Sequence, residues 1–456
     1  MTRAAGLSPR PYRLKNPIRH YDWGERGPSA FIATLLGISD PNPIPYAELW
    51  VGAHPSAPSL IVREEEDPVA LNDGVRLWPL KILGARVHSA FGAQWPFLFK
   101  ILSAAQALSI QAHPDRSLAP LLRAQDPDHY PDANHKPEIA VALGRFQALA
   151  GFKSVDGWQA VFRAFPEIAS FMGGVIRGAD ATMPTPPSNA ARIPSDPDVF
   201  PCNPSRMRFE AQKSRISRKP TEASPSSWAA DFVRNAFSRL LFRAQNDPKG
   251  LASAVQATAR RMGKASEPFS AMADLFHELL ATYGPEDVGL CVLLFLNRVE
   301  LLPGQALFLP PGLPHAYLRG NIVECMANSD NVVRLGLTPK HKDFRAILQV
   351  LDFRPVRPAV LTPPEEPHTV YPTPCAEFQV HRWIVEAGRI LSLTRRDGPE
   401  VILVIEGRGR IFWREKEHPE AQPYDRGHSF LVPALLTDYG LQAETRTLAF
   451  SVRVPA

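Results

Sequence analysis

LLPGQALFLPPGLPHAYLRGNIVECMANSDNVVRLGLTPKHKD, residues Leu301–Asp343, decides how this chain is read. Gly304 is followed by five residues, Pro310, one residue, Gly312, two residues and His315. The apolar run Ala306–Leu309 predicts a strand, and the Pro-Pro-Gly turn after it returns one imidazole toward the mouth of a small β-barrel. Glu324, Asp330, Arg334, Lys340 and Lys342 then crowd a segment otherwise built like strands. Strand interiors that must pack rarely hold so much charge. The stretch predicts a charge-lined barrel mouth with His315 as a metal ligand.

Partners for His315 lie upstream. In PFLFKILSAAQALSIQAHPD, Pro96–Asp115, Gln111 and His113 stand two apart in an apolar run. On a strand such residues share a face, so an amide oxygen and an imidazole point the same way. Asn134-His135-Lys136-Pro137-Glu138 adds a carboxylate just before the apolar IAVAL run. Gln111, His113, Glu138 and His315 make a set of two nitrogens and two oxygens. That set suits a borderline cation such as Zn²⁺ with room for a substrate, and the lack of thiolates argues against a structural cluster.

Several segments together resemble the type I mannose-6-phosphate isomerases (phosphomannose isomerases), zinc enzymes of the cupin superfamily. They are YDWG (Tyr21–Gly24), AELWVGAHPSAPS (Ala47–Ser59), PFLFK, LSIQAHPD, NHKPE, and the block from Tyr317 to Lys340 containing ECMANSDNVVR. The resemblance spans most of the chain, and the Gly304–His315 spacing is that of the second cupin motif. It implies one Zn²⁺ per chain held by Gln111, His113, Glu138 and His315, and Arg334 as the active-site arginine. It implies interconversion of mannose 6-phosphate and fructose 6-phosphate, feeding GDP-mannose synthesis. Departures are few: Ile139 where methionine is usual, Asn328 in place of a small residue, and an insertion near residues 174–226.

Such an isomerisation moves a proton between adjacent carbons through an enediol. It needs a base, a stabiliser for the developing oxyanion and an anchor for the phosphate dianion. Arg334 stays charged at any relevant pH and offers a planar fork. His135, Lys136, Glu324 and a zinc-bound water are all open as the base; we take Lys136, with Glu324 as its partner. Lys100, Ser109 and Lys340 are the candidates for the phosphate. Two other classes stay in view: an iron-dependent dioxygenase and a non-catalytic sugar-binding cupin. The first typically presents His-x-His where this chain has Gln111-x-His113. The second has no need of Arg334, Lys136 and Glu324 beside a complete ligand set.

Periodicity changes suggest the organisation. Up to about residue 152, short β-type runs alternate with Pro/Gly turns; helical spacing follows in 156–172, 228–244, 251–262 and 269–283. Strands resume in VGLCVLLFLNRVEL, Val288–Leu301. We therefore expect a mainly β protein with an inserted α-helical domain. Residues 1–152 and 286–350 form a catalytic cupin barrel, and 153–285 form the helical domain. Residues 351–456 form a second, degenerate cupin-like unit. There the motif spacing recurs from Gly427 to Pro433, but Leu435 and Asp438 replace the glycine and the histidine.

The net charge of +5 invites a nucleic-acid reading. Much of the excess sits in RMRFEAQKSRISRK, Arg206–Lys219, behind a Pro- and Ser-rich run that cannot bury a core. No aromatic-basic strand face offers base stacking, so no nucleic-acid partner is expected. Cys202, Cys291, Cys325 and Cys375 lack metal or pairing spacing and read as reduced thiols. Nothing reads as a membrane span or signal peptide. The expectation is a cytoplasmic monomer acting on a small sugar phosphate.

Overall fold

The computed structural model describes residues 6–39, 44–64, 66–173, 225–364, 366–394, 397–415 and 418–455. The insertion near 174–226 lies outside these, apart from its last two residues, which open the helix Pro225–Asn246. The described residues are mainly β, with several helices.

One sheet runs in the order Val360–Leu361, Ala306–Leu309, Glu138–Ala142, His315–Ala327, Phe97–Ala104, Glu48–Gly52, Ile18–Arg19. The long strand His315–Ala327 leaves it part-way. Up to Arg319 it pairs with Phe146–Phe152, and from Gly320 onward with Phe97–Ala104. Gly320 makes this corner possible. Its φ is +115°, and a Cβ there would lie 2.5 Å from the carbonyl oxygen of Arg145. Only glycine tolerates that backbone routinely. His315 also pairs with Gln111 of Ile110–Ala112, which in turn pairs with Val333–Gly336.

Strand alternation then sorts the side chains. Ile110, Ala112, Leu149, Ala316, Leu318, Val333 and Leu335 join the core shared with the helices. Their neighbours of opposite parity, Gln111, His315, Tyr317 and Arg334, turn inward. On the facing strands Leu102, Ala140, Ala142 and Ile322 point inward. Phe97, Phe99, Ile101, Ile139, Val323 and Cys325 point outward, into a core shared with Val401, Leu403, Leu431 and Phe450 of the C-terminal third. Cys325 is thus buried filler opposite Glu324.

The helices obey their apolar spacing with two adjustments. Ser154 caps Val155–Ala164 by accepting the N–H of Gly157 at 3.2 Å, a device contributing about 1 kcal/mol. Trp158, Val161 and Phe162 are its buried face, and Trp158 stacks on Phe295 at 3.9 Å. The pattern over 156–172 is split: a new helix, Pro166–Phe171, starts at the proline. Proline disfavours helical backbone at the residue before it, so the first helix stops there.

The run Val288–Leu301 departs from expectation. Gly289–Phe295 is helical, and only Leu296–Leu301 is a strand. Every residue from Gly289 to Phe295 is buried, and a run apolar on all sides has no period to tell helix from strand. The N-terminal portion also holds helices where only short β runs were expected: Leu71–Leu77, Pro79–Phe91 and Ala119–Gln125.

The C-terminal third packs two sheets around Trp383, Ile402, Val404, Ile411, Trp413, Phe430 and Leu441. The smaller sheet contains Ile390–Thr394, Asp438–Ala443, Gly409–Glu415 and His418–Tyr424. The larger one is completed from the far end of the chain. Tyr12–Lys15 pairs with Ser429–Val432 on one side and Leu60–Arg63 on the other. No helix among the described residues is long and apolar enough to cross a membrane.

A candidate metal centre between two sheets

Where the two sheets face each other, His113, Glu138 and His315 converge, each 2% exposed. One donor atom from each lies within 4.8 Å of the others. Glu138 Oε1 is 3.4 Å from His113 Nε2, and Glu138 Oε2 is 3.3 Å from His315 Nε2. The far side of each ring is already engaged. His113 Nδ1–H donates to the carbonyl of Asn331 at 2.8 Å, and His315 Nδ1–H to that of Leu313 at 2.9 Å. This fixes both tautomers with a bare Nε2 lone pair facing the carboxylate.

Those inward atoms are orphans. His113 Nε2, His315 Nε2 and Glu138 Oε2 are buried without a hydrogen-bond partner. Each such atom costs roughly 1–3 kcal/mol if left unsatisfied. One cation ligated by two nitrogens and a carboxylate accounts for all three, so the residues fit a metal of the zinc type. Protonation states agree with this. Burial, with Lys136 nearby, takes the His113 imidazole down to about 4, so it is neutral and able to ligate. Burial opposes ionisation of Glu138, but the charge around it, the Lys136 ammonium included, holds the carboxyl well below its ordinary range.

The other expected residues fall into two groups. Gln111 is the direct cross-strand neighbour of both His315 and Arg334, and its amide oxygen accepts from Ser109 Oγ at 3.2 Å. Arg334 is half-buried, and burial lowers its pKa. Among the described residues its guanidinium makes no hydrogen bond or ion pair. Lys340 is exposed, lies near enough to Arg334 for the two charges to repel, and sits 5.9 Å from the ring of Tyr21. Lys136 Nζ lies 3.5 Å from Glu138 Oε1.

The second group is a buried network. Lys100 Nζ is 2.7 Å from Glu324 and 3.6 Å from Glu48. Tyr317 OH donates to Glu324 at 2.6 Å, and Trp50 Nε1–H to Glu48 at 2.5 Å. Burial raises the Glu324 carboxyl, partly offset by Lys100. Glu324 therefore pairs with Lys100 and Tyr317, while Lys136 pairs with Glu138. Lys100, expected at a phosphate, is already committed to two carboxylates. His135 turns away from the centre, its Nε2 2.8 Å from Glu377 of the C-terminal third.

Two supporting elements escaped the sequence reading. The Ser329-Asp330-Asn331 run is a clamp. Asn331 Nδ2 donates to Asp132 and Asn134, Ser329 Oγ donates to Asp132, and the carbonyl of Asn331 aims His113. Glu377 is the other, since its Oε1 also binds Arg116, three residues after His113. The density of Asn, Asp and Ser near both motifs was a signal for the first; nothing local marks the second.

Known proteins are similar to this chain in sequence and in fold. A family model described as the catalytic domain of type I phosphomannose isomerase matches residues 12–155. The mannose-6-phosphate isomerase of Ogataea parapolymorpha is 34% identical over 443 residues, covering 93% of both chains. That of Homo sapiens is 32% identical over 418 residues, covering 88% of both. A crystal structure of a zinc-bound mannose 6-phosphate isomerase matches with a TM-score of 0.73 and 27% identity, over 98% of this chain and 100% of that one. A variant of phosphomannose isomerase from Salmonella typhimurium gives 0.74 and 27% over the same shares. With 34% identity spread over nearly its whole length, the chain belongs to the type I phosphomannose isomerases.

Proposed function

We propose that this chain interconverts mannose 6-phosphate and fructose 6-phosphate by proton transfer through an enediol, with zinc as its cofactor. The observation that carries the reading is the trio of orphaned, buried donors on His113, Glu138 and His315. Its family membership and a zinc-bound relative support it. Gln111, in the same cross-strand row as His315, completes the ligand set. When bound there, zinc supplies Lewis-acid polarisation of the substrate's adjacent oxygens.

The chain's own residues do the rest. Arg334, with no internal partner among the described residues, holds the developing oxyanion in its guanidinium fork. Lys136, beside Glu138, moves the proton with Glu324 as its partner in the reaction; Lys100 and Tyr317 hold the Glu324 carboxyl in place. Lys340 and Ser109 bind the phosphate from the rim, and Lys100 supports the site from inside through Glu324. The sheets belong to a cupin barrel, and the C-terminal third is a degenerate copy in which the described residues hold no metal triad. The product feeds GDP-mannose synthesis in the cytoplasm, and the chain acts as a monomer.

A coupled assay of fructose 6-phosphate formation tests the reading. Activity is expected to vanish on chelation, return with Zn²⁺ and be absent from His315→Ala. Folded, zinc-loaded protein without turnover on mannose 6-phosphate would sink it.

A further inference from the structure

Away from the buried centre, the described residues bring two more imidazoles and a carboxylate together. Asp126, His129 and His341 each offer a donor atom within 4.8 Å of the other two. The rings of His129 and His341 stack with centroids 4.0 Å apart and planes at 28°. Both histidines are exposed, and Asp126 is half-buried.

The trio is held from both sides. Asp126 follows the helix Ala119–Gln125; one of its oxygens accepts the backbone N–H of His129 at 3.2 Å and the other lies 2.7 Å from His129 Nδ1. Opposite, the loop bearing His341 is anchored by buried Asp287. That carboxylate accepts the N–H of Leu337 at 2.8 Å and binds Lys342 Nζ at 3.1 Å. Tyr130 OH donates to Asp343 at 3.1 Å, tying the same two segments.

We propose that Asp126, His129 and His341 form a second divalent-cation site on the surface of this chain. Two imidazoles and one carboxylate favour borderline ions such as Zn²⁺ or Ni²⁺ over Mg²⁺ or Ca²⁺. The pre-set geometry means that little side-chain freedom is lost on binding. Exposure leaves water to fill the remaining coordination positions. Lys340 and Lys342 flank His341 and repel a cation, so affinity falls below that of the buried centre. The ion would bridge the segment leading to Lys136 and Glu138 to the one that carries Arg334 and Lys340. Its consequence is a clip across two edges of the active-site mouth.

Calorimetric titration of the full-length, zinc-loaded protein with Zn²⁺, and separately Ni²⁺, tests this. A second and weaker event of one ion per chain is expected. It should disappear in the double variant His129→Ala/His341→Ala and weaken in Asp126→Asn. Metal analysis should still find the first zinc in both variants, and their circular dichroism should match the parent. Absence of a second event, or its survival in the double variant, reduces the trio to a stacked pair with a hydrogen-bonded aspartate and overturns the proposal.

Discussion

Glu377 accepts from His135 at 2.8 Å while 2% exposed, and in doing so reaches from the C-terminal third to the segment that carries Glu138. The same oxygen holds Arg116, beyond His113. One buried carboxylate thus steadies the backbone near two residues of the candidate metal centre, His113 and Glu138. Outer partners of this kind typically change metal affinity by about 10–100-fold. Glu377→Gln is expected to release zinc to a chelator about tenfold faster while retaining the fold. Zinc release followed with a colorimetric chelator reads this directly; an unchanged rate would confine Glu377 to packing.

Arg334 has no structural partner among the described residues, so its removal should leave stability alone. Arg334→Ala is expected to keep the parent zinc content and melting temperature yet lose about 10²–10³ in kcat. Arg334→Lys should recover little, because an ammonium cannot reproduce a planar fork. Steady-state kinetics beside metal analysis separates this from misfolding. A large drop in melting temperature would mean the guanidinium is structural.

Gly320 turns the His315–Ala327 strand from one sheet into the next with φ at +115°. A methyl group there meets strain and the Arg145 carbonyl together. Gly320→Ala should lower unfolding free energy by roughly 1–3 kcal/mol. It should also weaken zinc retention, since His315 lies on one side of that corner and the part of the strand beyond it pairs with the strand that carries Glu138. Urea unfolding of metal-free protein gives the first number, and an unshifted midpoint would contradict the corner's role.

Three imidazoles fix the acid response. Burial takes His113 and His428 down to about 4. Burial together with Arg453 and His368 takes His381 to about 2. An unfolded histidine protonates near the ordinary 6.5, so below that value the unfolded chain binds protons that the folded chain refuses. Stability is therefore full above about pH 6.5 and declines as pH falls toward 4. His381→Gln should flatten the decline in metal-free protein. Urea midpoints at several pH values check it, and a midpoint insensitive to pH across this window would contradict the burial of these rings.

The candidate residues His113 and His315 stand out in the sequence because motif spacing acts through local geometry. Two residues apart on a strand is one face, and a Pro-Pro-Gly turn before a histidine sets a direction. Their convergence, and the Gln111–Arg334 row, are made by the register of distant strands. The ion pairs of Lys100 with Glu324 and Glu48 were not legible, because sheet register alone brings these residues together. Glu377 and Asn331 act across hundreds of residues, with no local pattern to mark them. Gly289–Phe295 was hidden for a different reason: burial on every side erases the periodicity that separates helix from strand.

The pairing of Tyr12–Lys15 with Ser429–Val432 also constrains the order in which the molecule can be completed. More than four hundred residues lie between the two paired strands. The sheet cannot close there until the later strand has been made, so the earlier one waits with one edge unpaired. A change that displaces Tyr12–Lys15 would disturb the sheet at Ser429–Val432 as much as at Leu60–Arg63.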